Sequence, residues 1–231
     1  MSEPTIAMHP PQPEAGNTAR AAPSIRKMTA DPEGNVILAV TSEEGAGKAR
    51  DFLTSSNILK LASPVFTKMF GPCFQEGAAL QSSSETCPTI RLEEDDPDAI
   101  ELLLRALHFD TEKVPEKAPS PNTLAKLAIL SDKYNYNRAM KPWIALWFRD
   151  FNGIEELDQQ ALGRLVLTAY LFQSSRFKAI SADVVTQLTT NFILEWAKES
   201  MIQTYLPKFV IGSSTHLASF KNLAVISTTD S

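Results

Sequence analysis

The apolar run from Ile58 to Phe70, in "ILKLASPVFTKMFGPCFQEG", is cut in two by Ser63-Pro64 and stopped by Gly71-Pro72. That break is the tightest constraint in the chain. Proline has no backbone N–H and its ring clashes with the preceding turn, so a single continuous helix is excluded. Proline is tolerated at the first position of a new helix, and a serine just before it can accept a hydrogen bond from the free N–H groups there. The run therefore predicts two short helices meeting at a sharp corner, a compact wedge. Ile58, Leu59, Leu61 and Ala62 are apolar in the first, with Ser56-Asn57 as its cap; Val65, Phe66, Met69 and Phe70 fall at helical spacing in the second.

Upstream, residues 1–33 carry Pro4, Pro10, Pro11, Pro13, Pro23 and Pro32 among small and polar residues, with almost nothing apolar to bury. A disordered, proline-rich tail is expected. Val36 to Val40 is a continuous apolar, β-branched run, the pattern of a strand buried on both faces. A glycine-rich turn follows, and "DFLTSS" reads as a second strand closing a hairpin.

Downstream, "EGAALQSSSETC" reads as a polar loop and "PTIRLEE" as a third strand. Asp96-Pro97-Asp98 marks a helix start: a capping carboxylate, proline at the first position, and acids near the positive end of the dipole. Ile100, Leu103, Leu104 and Leu107 keep the helical rhythm, while Leu102, Ala106 and Phe109 occupy the other side, so this helix should be central and buried. After the proline-broken "DTEKVPEKAPSPN" come a helix from Leu124 to Tyr136 and another with Trp143, Trp147 and Phe151 on one face. "ALGRLVLTAYLF" and "FKAISADVVTQLTTNFILEWAKE" read as helical, and the chain from Leu206 on as an uncertain, fraying tail. The order is α+β, a small three-stranded sheet against a helical body.

With 231 residues, 43% of them hydrophobic, the chain can bury one substantial core. Its 22 Lys+Arg against 27 Asp+Glu form no basic stripe, which argues against nucleic acid as a partner. No apolar run approaches the ~20 residues that span a bilayer, so no membrane association is expected. Cys73 and Cys87 stand apart with no secretory leader before them. Free thiols in a reducing intracellular compartment, cytoplasm or nucleus, are expected.

Catalytic chemistry is hard to find. "GAGK" at Gly45 to Lys48 lacks the earlier glycine and following hydroxyl of a phosphate loop; Ser42 and Ala49 stand in those places, leaving a hairpin turn. His9, His108 and His216 have no metal-ligand spacing, and neither cysteine has the close neighbours of a zinc site. "EEDDPD" lacks the alternating acids and central glycine of a calcium loop. The Trp143, Trp147, Phe151 stripe recurs every four residues, as packing does. The sequence predicts no enzyme, no cofactor and no metal.

The same residues carry a family likeness. "NILKLASPVFTKMFGPCFQEG" resembles the signature of the BTB/POZ domain: leucine, Ala-Ser-x-x-Phe, a few apolar residues, then Phe-x-Glu. "IRLEEDDPDAIELLLRALHF" and "LAILSDKYNYNRAMKPWIALWF" are similar to the family's next strand, acidic turn and Leu-rich helix, and to its closing Asp-Lys-Tyr helix pair. The wording resembles most the BTB proteins of filamentous fungi. The likeness covers residues 34–151, leaving a helical extension over 152–205 and a tail over 206–231. It implies a three-stranded sheet capped by a helical cluster, with Leu59, Ala62, Ser63, Phe66, Met69, Leu103 and Leu107 defining the fold. Two departures stand out. "RAAPSIRKMTADPEGN" has too few apolar residues for the exchanged helix with which many members dimerise, and Asn35 replaces the usual aspartate.

In function the resemblance implies a non-catalytic protein-interaction module, an adaptor or scaffold able to form homo-oligomers. The alternative is a substrate receptor for a cullin–RING ubiquitin ligase. Family members of that kind reach the cullin through positions matching Phe74, the loop from Thr111 to Asn122, and Tyr134 with Tyr136, and members often contact partners through the loop that Phe74 and Glu76 begin. Val114-Pro115-Glu116 fits the receptors' apolar-x-Glu pattern in form but precedes its usual place, which here reads Thr123-Leu124-Ala125. The helical extension is read either as a recognition surface of its own or, the default for an amphipathic extension, as a cover for an apolar flank.

Overall fold

The computed structural model describes residues 25–41, 49–82, 87–149 and 154–213. The expected leading tail up to residue 24, the Gly45–Lys48 turn, Phe151 and the final residues 214–231 lie outside them. The molecule is α+β, a small mixed sheet against a helical body.

The sheet has four strands, not three: β1 (Arg26–Thr29), β2 (Val36–Thr41), β3 (Arg50–Thr54) and β4 (Thr89–Glu93), in the order β1-β3-β2-β4. The expected hairpin is present as the antiparallel β2–β3 pair, with Leu38 opposite Phe52. On either side β1 runs parallel to β3 and β4 parallel to β2. Strand β1 falls inside the stretch expected to be disordered. Only Met28 of "RKMT" reaches the core; the other side chains are exposed, so pairing with β3 comes from backbone bonds that composition cannot register. The exposed Arg26 and Lys27 also discourage further pairing along this edge.

Strand β2 alternates. Val36, Leu38 and Val40 are buried, while Ile37 and Ala39 are half-covered. The expectation of burial on both faces is therefore corrected. The buried face continues through Phe52, Thr54, Ile90 and Leu92 and meets the helices; the other stays near solvent.

Two short helices, α1 (Ser56–Ala62) and α2 (Pro64–Met69), form the predicted corner. Ser63 caps α2 by accepting the Phe66 N–H at 3.0 Å, with Pro64 at the first helical position. The start of α1 is held from outside. Asn35 accepts the Ser56 N–H at 2.9 Å and donates to the Ser56 hydroxyl at 3.0 Å, so the asparagine departure preserves a backbone contact.

Helix α3 (Gln75–Ser82) occupies the stretch expected to be loop. It seats on the end of α2 at Gly77, where a Cβ would lie 1.9 Å from the Gly71 carbonyl oxygen. Helix α4 (Pro97–Leu107) starts as expected, Asp96 accepting the Asp98 and Ala99 N–H groups at 3.0 Å each. It is buried nearly all round.

Then follow α5 (Pro121–Lys133), capped by Ser120, and α6 (Asn137–Arg149). After a 3-10 turn at Ile154–Glu156 come α7 (Gln159–Leu171), α8 (Phe177–Gln187), α9 (Phe192–Ala197) and α10 (Ser200–Tyr205). The long final helical stretch is thus broken into α8 and α9. Helix α7 is buried along most of its length and packs on α5, α8, α9 and α10. Asn137 joins three helices, accepting from Ser131 at 2.8 Å and donating to the Leu171 carbonyl at 2.9 Å. The buried apolar residues form one cluster from Val36 to Val210.

Candidate protein-interaction site

The corner between α1 and α2 is locked to the Asp-Lys-Tyr turn at the end of α5. The Ser63 hydroxyl donates to the Tyr134 carbonyl at 2.5 Å. The Phe66 ring lies 5.1 Å from Tyr134, 5.8 Å from Tyr136 and 5.2 Å from Phe70. The Tyr134 hydroxyl donates to Asp95 at 2.5 Å, and Lys133 reaches the other Asp95 oxygen at 2.7 Å. Asp95 is thereby a buried carboxylate with both oxygens occupied. Burial, reinforced by the bond to Asp95, pushes the Tyr134 phenol well above its ordinary range; burial does the same to Tyr136.

These contacts separate the residues expected to meet a partner. Phe74 remains at the surface, 51% exposed, with Glu76 half-covered in the first turn of α3. Val114, Tyr134 and Tyr136 are instead buried, at 3%, 5% and 1% exposure. The correction has a plain cause: each faces packed neighbours rather than solvent. The loop holding Val114 is pinned by the Trp147 indole, which donates to the Pro115 carbonyl at 2.8 Å. Of the residues expected to define the fold, Leu59, Ser63, Phe66, Leu103 and Leu107 are buried, and Ala62 and Met69 pack half-buried against the same core.

A surface feature absent from those expectations lies between α1, the end of α4 and α6. It is an open apolar groove of 510 Å³, lined by Ile58, Leu61, Leu107, Phe109, Ala139 and Trp143, with Arg138 among them. Leu61 is 90% exposed and Phe109 79%. Two such apolar side chains beside one groove mark a surface that another molecule can cover.

Phe109 is held there by the way α4 ends. His108 is the last capping residue, and Phe109 takes φ 58°, the left-handed conformation that normally falls to glycine. The Phe109 N–H donates to Ala106 and the Asp110 N–H to Arg105, closing the helix end in a Schellman motif. Helices α5 and α7 end in the same way on Asn135 and Gln173. Asparagine tolerates that conformation; a β-carbon-bearing aromatic is strained in it. The signal in the sequence was a phenylalanine directly after a helix end, where glycine is usual.

The polar groups around this end are satisfied within the chain. His108 Nδ1 lies 2.8 Å from the Leu104 carbonyl, which makes it the donor, and Nε2 then faces the Thr54 hydroxyl at 3.1 Å. Cys73 and Cys87 are free and exposed. Among the described residues, no group of three or more His, Cys, Asp or Glu is placed to hold a metal ion, and no helix is long and apolar enough to cross a membrane. In comparison with known proteins, no family model matches the chain, and no curated protein matches it.

Proposed function

We propose that the chain is a BTB/POZ-type protein-interaction module, an adaptor or scaffold that works by binding rather than by catalysis. The observation that carries the reading is the corner: two short helices, broken at Ser63-Pro64, with Ser63 and Phe66 keyed into Tyr134. The three sequence blocks that carry the family resemblance meet at this point, since Tyr134 in turn reaches Asp95 in the acidic turn. Strands β2, β3 and β4 with α1, α2, α4, α5 and α6 also follow the order that the resemblance implies. The exposed groove and Phe74 supply surface for a partner.

A cullin receptor is the second reading, favoured by Phe74 at the end of the corner. The burial of Val114, Tyr134 and Tyr136 removes those expected contacts from the surface, while the rest of the Thr111 to Asn122 loop stays mostly exposed. Light scattering of the full chain across a concentration series tests the primary reading. A constant dimer mass supports a self-associating scaffold. With a monomer mass, titration against a cullin N-terminal domain decides whether the receptor reading holds. A chain that neither self-associates nor binds a cullin, and takes no partner through the groove, is not a module of this kind.

A further inference from the structure

We infer that the α1–α4–α6 groove is the docking site for a short amphipathic peptide segment of another protein, and that this segment is acidic. The inference rests on the interaction-module reading and adds to it the place and chemistry of the partner.

The floor is apolar, so a partner must bring apolar side chains to cover Leu61 and Phe109. The polar side-chain groups around it are of one kind. Arg138 lines the groove and also the cleft on the other side of α6, which Lys141 lines as well. Neither cation has an ion-pair partner among the described residues, unlike Arg50, Arg105, Lys126 and Arg164, which are all paired. The Trp143 indole N–H is a further donor that takes no acceptor among the described residues, whereas that of Trp147 is satisfied by the Pro115 carbonyl. The polar side-chain groups a ligand in the groove itself would meet are thus one unpaired cation, Arg138, and one N–H donor, Trp143. Carboxylates answer both.

Phe109 adds a second, independent observation. It holds a left-handed backbone conformation while its ring covers little of the core. Glycine would end α4 without that strain, so the ring's use lies outside the folded chain. An apolar anchor beside a groove and a charged rim is the arrangement by which amphipathic helices are recognised.

The test uses the full chain and two fluorescein-labelled peptides of ~15 residues, with leucine and phenylalanine at helical spacing. The remaining positions are glutamate in one and lysine in the other. Anisotropy titrations should show the glutamate peptide binding at least about tenfold more tightly than the lysine peptide. Arg138→Glu should weaken the glutamate peptide about tenfold and narrow or reverse the preference. Phe109→Gly should weaken it while leaving the circular dichroism spectrum unchanged. Arg138 is exposed and Phe109→Gly relieves strain, so both variants are expected to fold. Equal binding of the two peptides, or indifference to Arg138→Glu, overturns the assignment. So does a constant dimer that Leu61→Asp turns into monomers, because a second copy then fills the groove. If the glutamate peptide fails while the chain self-associates or binds a cullin, the groove's assignment falls alone. If all three fail, the module reading falls with it.

Discussion

Tyr134 ties the corner to the acidic turn, and it does so from a buried position. Its ring packs on Phe66, its carbonyl receives Ser63, and its hydroxyl satisfies one oxygen of Asp95. Tyr134→Phe keeps the ring and the carbonyl but leaves that oxygen of the buried Asp95 without its donor. The expected loss is about 1–3 kcal/mol in urea unfolding at pH 7. Because the folded-state phenol is raised above its ordinary value, its contribution is full below pH ~10 and is lost as pH rises further. The variant should therefore also show a shallower alkaline fall in stability. An unchanged midpoint and an unchanged alkaline limb would mean that the hydroxyl does not hold Asp95. From sequence Tyr134 reads as a partner contact, and nothing marks Asp95 as the acceptor that buries the hydroxyl. In the sequence Asp95 is one acid among several, and Asp96 beside it is the one whose capping role can be read.

Helix ends show where local sequence decides and where tertiary contact does. The start of α4 was readable because Asp96-Pro97 acts within its own turn, yet Asp96 also reaches Lys126 on α5 at 2.7 Å. Burial alone would raise the Asp96 carboxyl. The bond from Lys126 and the N–H groups of Ala99 and Asp98 outweigh it and hold the carboxyl below its usual value. A lowered folded-state pKa means stability that is present above the unfolded value near ~4 and lost as pH falls through the folded one. Asp96→Asn retains a capping side chain and removes the charge, so it should cost about 1 kcal/mol at pH 7 and much less at pH 3. Equal costs at both pH values would contradict the ion pair. Helix α3 is the opposite case. "EGAALQSS" is weakly apolar and serine-rich, and nothing local separates it from a loop; its helix is set by the seat against α2. At Gly77 a Cβ would lie 1.9 Å from the Gly71 oxygen and 2.7 Å from the Phe70 carbonyl carbon, both backbone atoms that cannot rotate away. Gly77→Ala should shift α3 and cost about 1–3 kcal/mol, read as a lowered unfolding midpoint. A neutral Gly77→Ala would show that α3 does not sit there. The groove was illegible for a related reason: Leu61 on α1, Phe109 just past the end of α4 and Arg138 on α6 are far apart in sequence and meet only through packing. Strand β1 was missed because its bonds are main-chain and its side chains polar.

At the scale of the molecule, the question is whether the helices beyond α6 are a separate unit or part of the same core. The resemblance stops near residue 151, and sequence alone left the extension as a cover or a surface of its own. Helix α7 packs against α5, whose Leu124, Ala125, Leu127 and Ala128 are fully buried, and Asn137 is bonded to both α5 and α7. Glycine 163 brings Trp196 and Ile202 against α7 so closely that a Cβ would lie 2.4 Å from Ile202, binding α9 and α10 to the same helix. Removing α7 to α10 would therefore uncover the flank of α5 as well as dismantle the extension. At about 25 cal/mol per Å² of apolar surface, uncovering a few hundred Å² costs several kcal/mol. That is comparable with the ~5–15 kcal/mol by which a whole domain is stable. A chain ended at residue 156 is thus expected to lose cooperative unfolding and to bind a hydrophobic dye such as ANS, while the full chain unfolds in one transition. If the shortened chain instead unfolds cooperatively near the midpoint of the full one, the shared core is not a stability unit. The extension would then be free to act as a recognition surface of its own.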